Sequence, residues 1–329
     1  VIAYAGDTSR KGTNGAEELL IPVGAQSIAT GGAFLSNVSG LEAIYYNPAG
    51  LSQGKGTEAM FSFMTYLADI KVSYFAIGSS LGDLGSVALS VKTLNFGNIP
   101  VTTDDAPDGN GSTYSPGYLT AGVTYAKVIT DRVCVGVNAK VINETIADVS
   151  ATGFALDFGV QYKFPSNLSI GCTVKNIGTN MSFSGNSLQT FTTVPGAQLA
   201  TPNGNYQVVT EEFQIPSYFE LSTAYNYNIN EQNIFNIGIS FRNNNSFEDE
   251  MRLGLEYGFN NQFFLRGGYS SPVQNTSASA IGANYGFTFG AGVNYSFIDG
   301  MNFTLDYAFQ QVKSFPNPNH TFTIKMNIL

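Results

Sequence analysis

From Ala59 to its last residue the chain alternates apolar and polar side chains in segments of roughly ten residues, each closed by a turn. Phe154, Leu156, Phe158, Val160 and Tyr162 alternate with Ala155, Asp157, Gly159 and Gln161. Tyr285, Phe287, Phe289, Ala291, Val293, Tyr295 and Phe297 alternate with Asn284, Gly286, Thr288, Gly290, Gly292, Asn294 and Ser296. A period of two sends every second side chain to one face of a strand. About ten residues is also the length that a tilted strand needs to cross a bilayer. The pattern predicts strands at 58–67, 70–79, 86–97, 118–127, 132–145, 152–163, 168–177, 217–228, 233–242, 250–259, 262–270, 282–297, 301–312 and 320–329. The fold expected is all-β: a fourteen-stranded antiparallel transmembrane β-barrel over 58–329, with residues 1–57, which lack the alternation, as an N-terminal plug.

The connections sort by length. Short turns at 80–85, 128–131, 164–167, 229–232, 260–261 and 298–300 alternate with longer connections at 97–117, 178–216, 243–249, 271–281 and 313–319, with 68–69 as an exception. Short turns on one side and long loops on the other are what an outer-membrane barrel shows. An even strand count returns both termini to the short-turn, periplasmic side, and 97–117 and 178–216 become extracellular loops.

Composition agrees with lipid as one solvent. Only 12% of the 329 residues are charged, against 43% hydrophobic. A soluble domain carries about twice that charge. No run approaches the length of a membrane helix. The 36 glycines suit crowded inward positions, and 25 Phe with 18 Tyr supply interfacial girdles in the absence of Trp. A net charge of −9 argues against nucleic acid as a partner. Cys134 falls on the polar face and Cys172 on the lipid face, so the two are expected to be free and buried.

At Gly31-Gly32-Ala33-Phe34 through Ala43-Ile44-Tyr45-Tyr46-Asn47-Pro48-Ala49-Gly50-Leu51 the chain resembles the PorV/PorQ family, within the wider FadL-like group of outer-membrane barrels. The likeness continues at Ile99-Pro100-Val101-Thr102-Thr103, at Gly109-Asn110-Gly111, across Gly153–Tyr162 and at Val174-Lys175-Asn176-Ile177-Gly178. The motif Tyr46, Asn47, Pro48, Ala49, Gly50, Leu51 is shared by FadL-like barrels generally and marks the plug; the acidic loop with its Thr-Thr and Gly-Asn-Gly elements is closer to PorV. The resemblance implies a role in type IX secretion. In it the barrel binds the C-terminal signal domain of exported cargo, meets the large translocon barrel, and delivers cargo to the attachment-complex proteins. The implied recognition surface is the outer loops: Thr102, Asp104, Asp105, Asp108 and Tyr114 on one side, with Phe191, Val194 and Tyr206 on the other. A FadL-like importer of hydrophobic small molecules and an accessory structural barrel are the alternatives.

No catalytic residue, metal site or cofactor is expected. His320 has no second histidine to work with. Gly50–Thr57 departs from a phosphate loop by its spacing and by a Gly where Ser or Thr should bind magnesium, and reads as a flexible lead into the first strand. Asp104, Asp105 and Asp108 lack the alternate-position ligands and closing Glu of a calcium loop, and read as a solvated acidic turn. The inward set contains Lys92, Lys140, Asp157, Lys163, Lys175, Glu220, Arg242, Arg252, Glu256, Arg266 and Asp306. Its mixed signs suit ion-paired packing around a plug better than an apolar lane for fatty acids.

Overall fold

The computed structural model describes residues 13–193, 203–246, 248–273, 285–298, 300–313 and 315–328. Fourteen long strands form one antiparallel ring. In order they are β1 (Thr57–Thr65), β2 (Lys71–Ser80), β3 (Ser86–Asn95), β4 (Gly117–Thr130), β5 (Val133–Ile146), β6 (Val149–Lys163) and β7 (Leu168–Gly178). There follow β8 (Tyr218–Asn228), β9 (Asn233–Asn244), β10 (Glu250–Phe259), β11 (Phe263–Pro272), β12 (Tyr285–Ile298), β13 (Met301–Val312) and β14 (Asn319–Ile328). Each pairs with its sequence neighbours, and β1 meets β14 in register from Thr57 with Ile328 to Thr65 with His320. That seam closes the cylinder and leaves the sheet no open edge among the described residues, as a bilayer core demands.

The alternation sets the faces as expected. Phe154, Leu156, Phe158 and Val160 of β6 stand exposed on the outside, while Ala155, Asp157 and Gln161 are buried within. Cys134 is buried on the inner face; Cys172 is only half-buried on the outer one, against the expectation that both would be buried, and both thiols are free. His320 belongs to the wall: its Nδ1 lies 2.8 Å from the Tyr307 hydroxyl, and the Phe309 ring meets its edge. The sorting of turns has a second exception, because β5 and β6 are joined by only Ala147 and Asp148 at the long-loop end.

The N-terminal segment runs through the bore from end to end. The Gly15 amide donates to the Gln214 carbonyl and the Asn14 amide to the Ser246 hydroxyl, both at the long-loop end. Further along, Ala25 N–H donates to Thr323 Oγ1, and the Thr288 and Ser222 hydroxyls donate to the carbonyls of Ala29 and Ala33. Asn37 reaches Asn226 near the short turns, and the Lys55 carbonyl accepts from Asn327 just before β1 begins. Both termini were expected at the short-turn side. Ile328 is there; Asn14 lies at the opposite mouth, and the N-terminus itself lies outside the described residues. The stretch Gly50–Thr57 also differs from expectation: Gly50 and Leu51 are buried in a 3-10 helix (Pro48–Gln53) that packs against β4 and β5.

A ring of inward glycines makes room for this segment. A methyl group at Gly136, Gly159, Gly171, Gly238, Gly254, Gly268 or Gly290 would stand between 2.0 and 2.8 Å from atoms of residues 29–48. No side chain fits in that gap, so β5–β7 and β9–β12 each let the inner chain approach the wall backbone directly.

Leu156→Arg is expected to lower insertion by about 2–4 kcal/mol, the cost of a cation on the lipid face near the midplane. Gln161 faces inward, so the periodicity alone predicts that Gln161→Arg is tolerated. Instead its amide donates to the carbonyls of Leu35 and Val38, at 3.0 and 2.9 Å. Gln161→Arg should therefore insert normally yet loosen the inner segment, read as faster proteolysis of residues 14–56 in purified barrels. Equal insertion defects at both positions would contradict the face assignment.

Candidate functional site

The bore is the site that the fold builds. Asn47 anchors its inner segment and is fully buried. Its Oδ1 accepts from the Ala49 amide, capping the Pro48–Gln53 turn whose first position is a proline that has no N–H to satisfy. Its Nδ2 donates to Leu35 O at 3.1 Å and to Val160 O of β6 at 3.0 Å. One side chain thus caps a helix, ties two stretches of the segment and fixes both to the wall. Around it, Gly50 packs where a methyl would fall 2.0 Å from the Val38 carbonyl, Leu51 enters the cluster of Leu41, Ile44 and Met60, and Tyr46 stacks edge-on against Tyr45. Pro48 and Ala49 face Gly136. Every residue of the motif 46–51 is buried.

Three ionic clusters line the inner wall. Glu220 takes Arg242 at 2.9 Å and Arg252 at 3.4 Å, and Arg252 also holds Glu250 at 2.5 Å. Next along the wall, Arg266 bridges Glu256 and Asp306, both at 2.6 Å, and Lys325 bridges Asp306 at 3.4 Å and Glu42 of the inner segment at 3.1 Å. Glu42 in turn accepts from the Ser27 amide and hydroxyl. The third cluster centres on Asp157, which takes Lys140 at 2.7 Å and the amides of Asn138 and Asn176 at 3.2 and 2.8 Å. Asn176 sits at φ 59° where β6 and β7 slip register, a left-handed position that asparagine tolerates. Lys163, expected inward with this set, is exposed at the short-turn end and donates to Gln53. Buried charges in a membrane protein persist only when paired this way.

Between the inner segment and β3–β7 lies a cavity of about 40 Å³, lined by Leu19, Ile44, Tyr45, Lys92, Lys140 and Lys175 among others. That is room for a few water-sized particles, far below the hundreds of cubic ångströms of a small-molecule pocket.

The loop residues stand apart from the bore. Thr102, Asp104, Asp105 and Asp108 are exposed and Tyr114 half-buried, on a loop pinched by the pairing of Ile99 with Tyr114 and Pro100 with Thr113. Phe191 and Tyr206 are exposed on a separate hairpin, Gln189–Thr192 with Gly204–Gln207; Val194 lies outside the described residues. This hairpin is tied to the rim where the Ser187 amide donates to the Asp148 carboxylate at 2.8 Å. The two loops rise between β3 and β4 and between β7 and β8, roughly 20 Å apart along the wall at the usual strand spacing. The hairpin and the roles of Asn47 and Asn176 escaped the sequence; the run of inward glycines was the signal that an inner chain approaches the wall.

No family model and no curated protein matches the chain. Among solved structures it is similar to the toluene transporter TodX of Pseudomonas putida, with a TM-score of 0.59 at 15% identity over 93% of this chain and 96% of that one. It is also similar to the monoaromatic hydrocarbon channel CymD (0.56, 12%, 94% and 98%) and to a FadL homologue of Pseudomonas aeruginosa (0.55, 10%, 94% and 98%). At such identities the likeness is one of fold. The fold is therefore that of the FadL-type outer-membrane β-barrels.

Asn47→Ala is expected to cost about 1–3 kcal/mol, since it removes a cap and takes one donor from each of two carbonyls. Asn47→Asp keeps the cap acceptor but turns a carboxylate on those carbonyls, and should cost at least as much. The unfolding temperature of the barrel, read by gel mobility of heated samples, checks both; a shift below one degree for either would remove Asn47 from its anchoring role.

Proposed function

We propose that this chain is an outer-membrane barrel that passes small hydrophobic molecules, with residues 14–56 as its hatch. The observation that carries the reading is the extent of the fold likeness to hydrocarbon channels. It reaches 93–94% of the chain, a share that the barrel residues 57–328 cannot supply alone, so it takes in much of the inner segment. In the resting form the ionic clusters and the inner segment close the bore, and the cavity of about 40 Å³ is too small for an aromatic hydrocarbon. Passage then requires the segment to shift against the glycine ring. Several contacts along the segment are single hydrogen bonds from wall hydroxyls to its carbonyls, which can be exchanged as it moves.

A second reading, delivery of exported proteins through recognition of their C-terminal signal domain, is favoured by one feature. The outer hairpin presents Phe191 at 71% and Val209 at 91% exposure, apolar surface that serves a protein partner better than a solute. In that role the translocon barrel and the attachment-complex proteins would be its neighbours in the membrane, and the acidic loop would steer a basic patch.

A cross-link separates the two. Ser36→Cys with Ser222→Cys, in a background without Cys134 and Cys172, replaces two side-chain hydroxyls that lie 3.2 Å apart between the inner segment and β8, within a small adjustment of disulfide geometry. Oxidised barrels should lose toluene or fatty-acid uptake in whole cells and regain it on reduction. Uptake that ignores the cross-link, together with loss of cargo pull-down when Phe191–Tyr206 is trimmed to a Gly-Ser link, would replace the importer reading with the delivery one.

A further inference from the structure

The three ionic clusters differ in balance. Around Glu220 two arginines face two carboxylates, and around Asp306 one arginine and one lysine face three. On β3, β5 and β7 three lysines, Lys92, Lys140 and Lys175, share one carboxylate, Asp157. All four are nine-tenths or more buried. Glu18 does not restore the balance: its carbonyl, not its carboxylate, accepts from Lys92 at 2.6 Å. Both oxygens of the Glu18 carboxyl are buried without a hydrogen-bond partner, so they bind none of the three ammonium groups.

Each ammonium carries three donors. Lys92 places two on the carbonyls of Glu18 and Ile21. Lys140 meets Asp157 and Asn176, and Lys175 meets the Tyr45 carbonyl with its ammonium 4.0 Å from the Tyr45 ring centre. At least one donor remains on each, and all three side chains line the same cavity of about 40 Å³. The Thr120 hydroxyl also lines it; it is 8% exposed and has no hydrogen-bond partner. Water would satisfy these donors; an anion would satisfy them and also offset the ammonium charge, which is expensive to hold in a bore surrounded by lipid.

We propose that this cavity binds a small monovalent anion of chloride size, held by the ammonium groups of Lys92, Lys140 and Lys175 and the hydroxyl of Thr120. Its small volume leaves no room for an organic acid with a tail, and its lysines disfavour a cation. Because Lys92 and Lys175 also bind carbonyls of the inner segment, the anion ties residues 18–45 to β3–β7 and stabilises the closed bore. The inference goes beyond the transport reading and holds whichever molecule the barrel serves.

The test uses the full-length barrel in a zwitterionic detergent, with sodium gluconate replaced stepwise by sodium chloride or bromide at constant ionic strength. The unfolding temperature should rise by several degrees and saturate with either halide, whereas sulfate at the same ionic strength should give no saturable rise. Lys92→Met and Thr120→Val should each weaken the halide response, and Lys325→Met, in the acid-rich cluster, should keep it. An anomalous bromide peak in the cavity would locate the ion. Superimposable melting in chloride and gluconate, or a response that survives both Lys92→Met and Thr120→Val unchanged, would overturn the proposal.

Discussion

Closing a sheet into a cylinder leaves an inner face that neither lipid nor bulk water can solvate fully, and the rest of this structure follows from how that face is satisfied. The outer face needs only apolar side chains. The inner one carries the wall's Ser, Thr, Asn and charged residues, each needing a partner. Here an inner segment supplies many of them. Its carbonyls at Glu18, Ala29, Ala33, Leu35, Val38 and Tyr45 accept from wall side chains, and Glu42 holds Lys325. Wall and filling are complementary halves of one hydrogen-bonded interior, not a tube with a loose cork.

This complementarity explains what could be read from the sequence. A two-residue period is local, so the fourteen strands, their faces and the lipid-facing aromatics were legible from neighbours in the chain. Charged inward positions were legible by the same projection, though the end of the barrel, where Lys163 turns toward Gln53, was not. The path of residues 14–56 has no period. It depends on contacts such as Asn47 with Val160 and Ser222 with Ala33, far apart in sequence and recognisable only once the cylinder exists. The expectation of a flexible lead into β1 failed for that reason: Gly50 reads as looseness in isolation, but it is small because the Val38 carbonyl lies against it. Likewise the register slip at Asn176 serves Asp157 and Lys140, which no local pattern announces.

The same interior constrains function. A bore filled by paired charges leaves no path for a hydrophobic solute, so the transport reading proposed above requires the inner segment to move. The glycine ring is what lets the inner segment lie this close to the wall, with the Phe34 ring seated against Gly238 and Gly254 and the Asn47 amide against Gly159. The outer loops are built on different terms. They leave Phe191, Val208 and Val209 exposed and are joined to the rim by a few polar contacts, so they can be altered without disturbing the wall.

Hydrogen exchange of the intact barrel in detergent, followed by mass spectrometry, tests the central claim that the inner segment is part of the folded interior. Amides of residues 24–54 should exchange as slowly as those of β5 and β6 and become labile only when the barrel itself unfolds. Exchange of that stretch at the rate of a solvated tail, while the strands stay protected, would contradict the account.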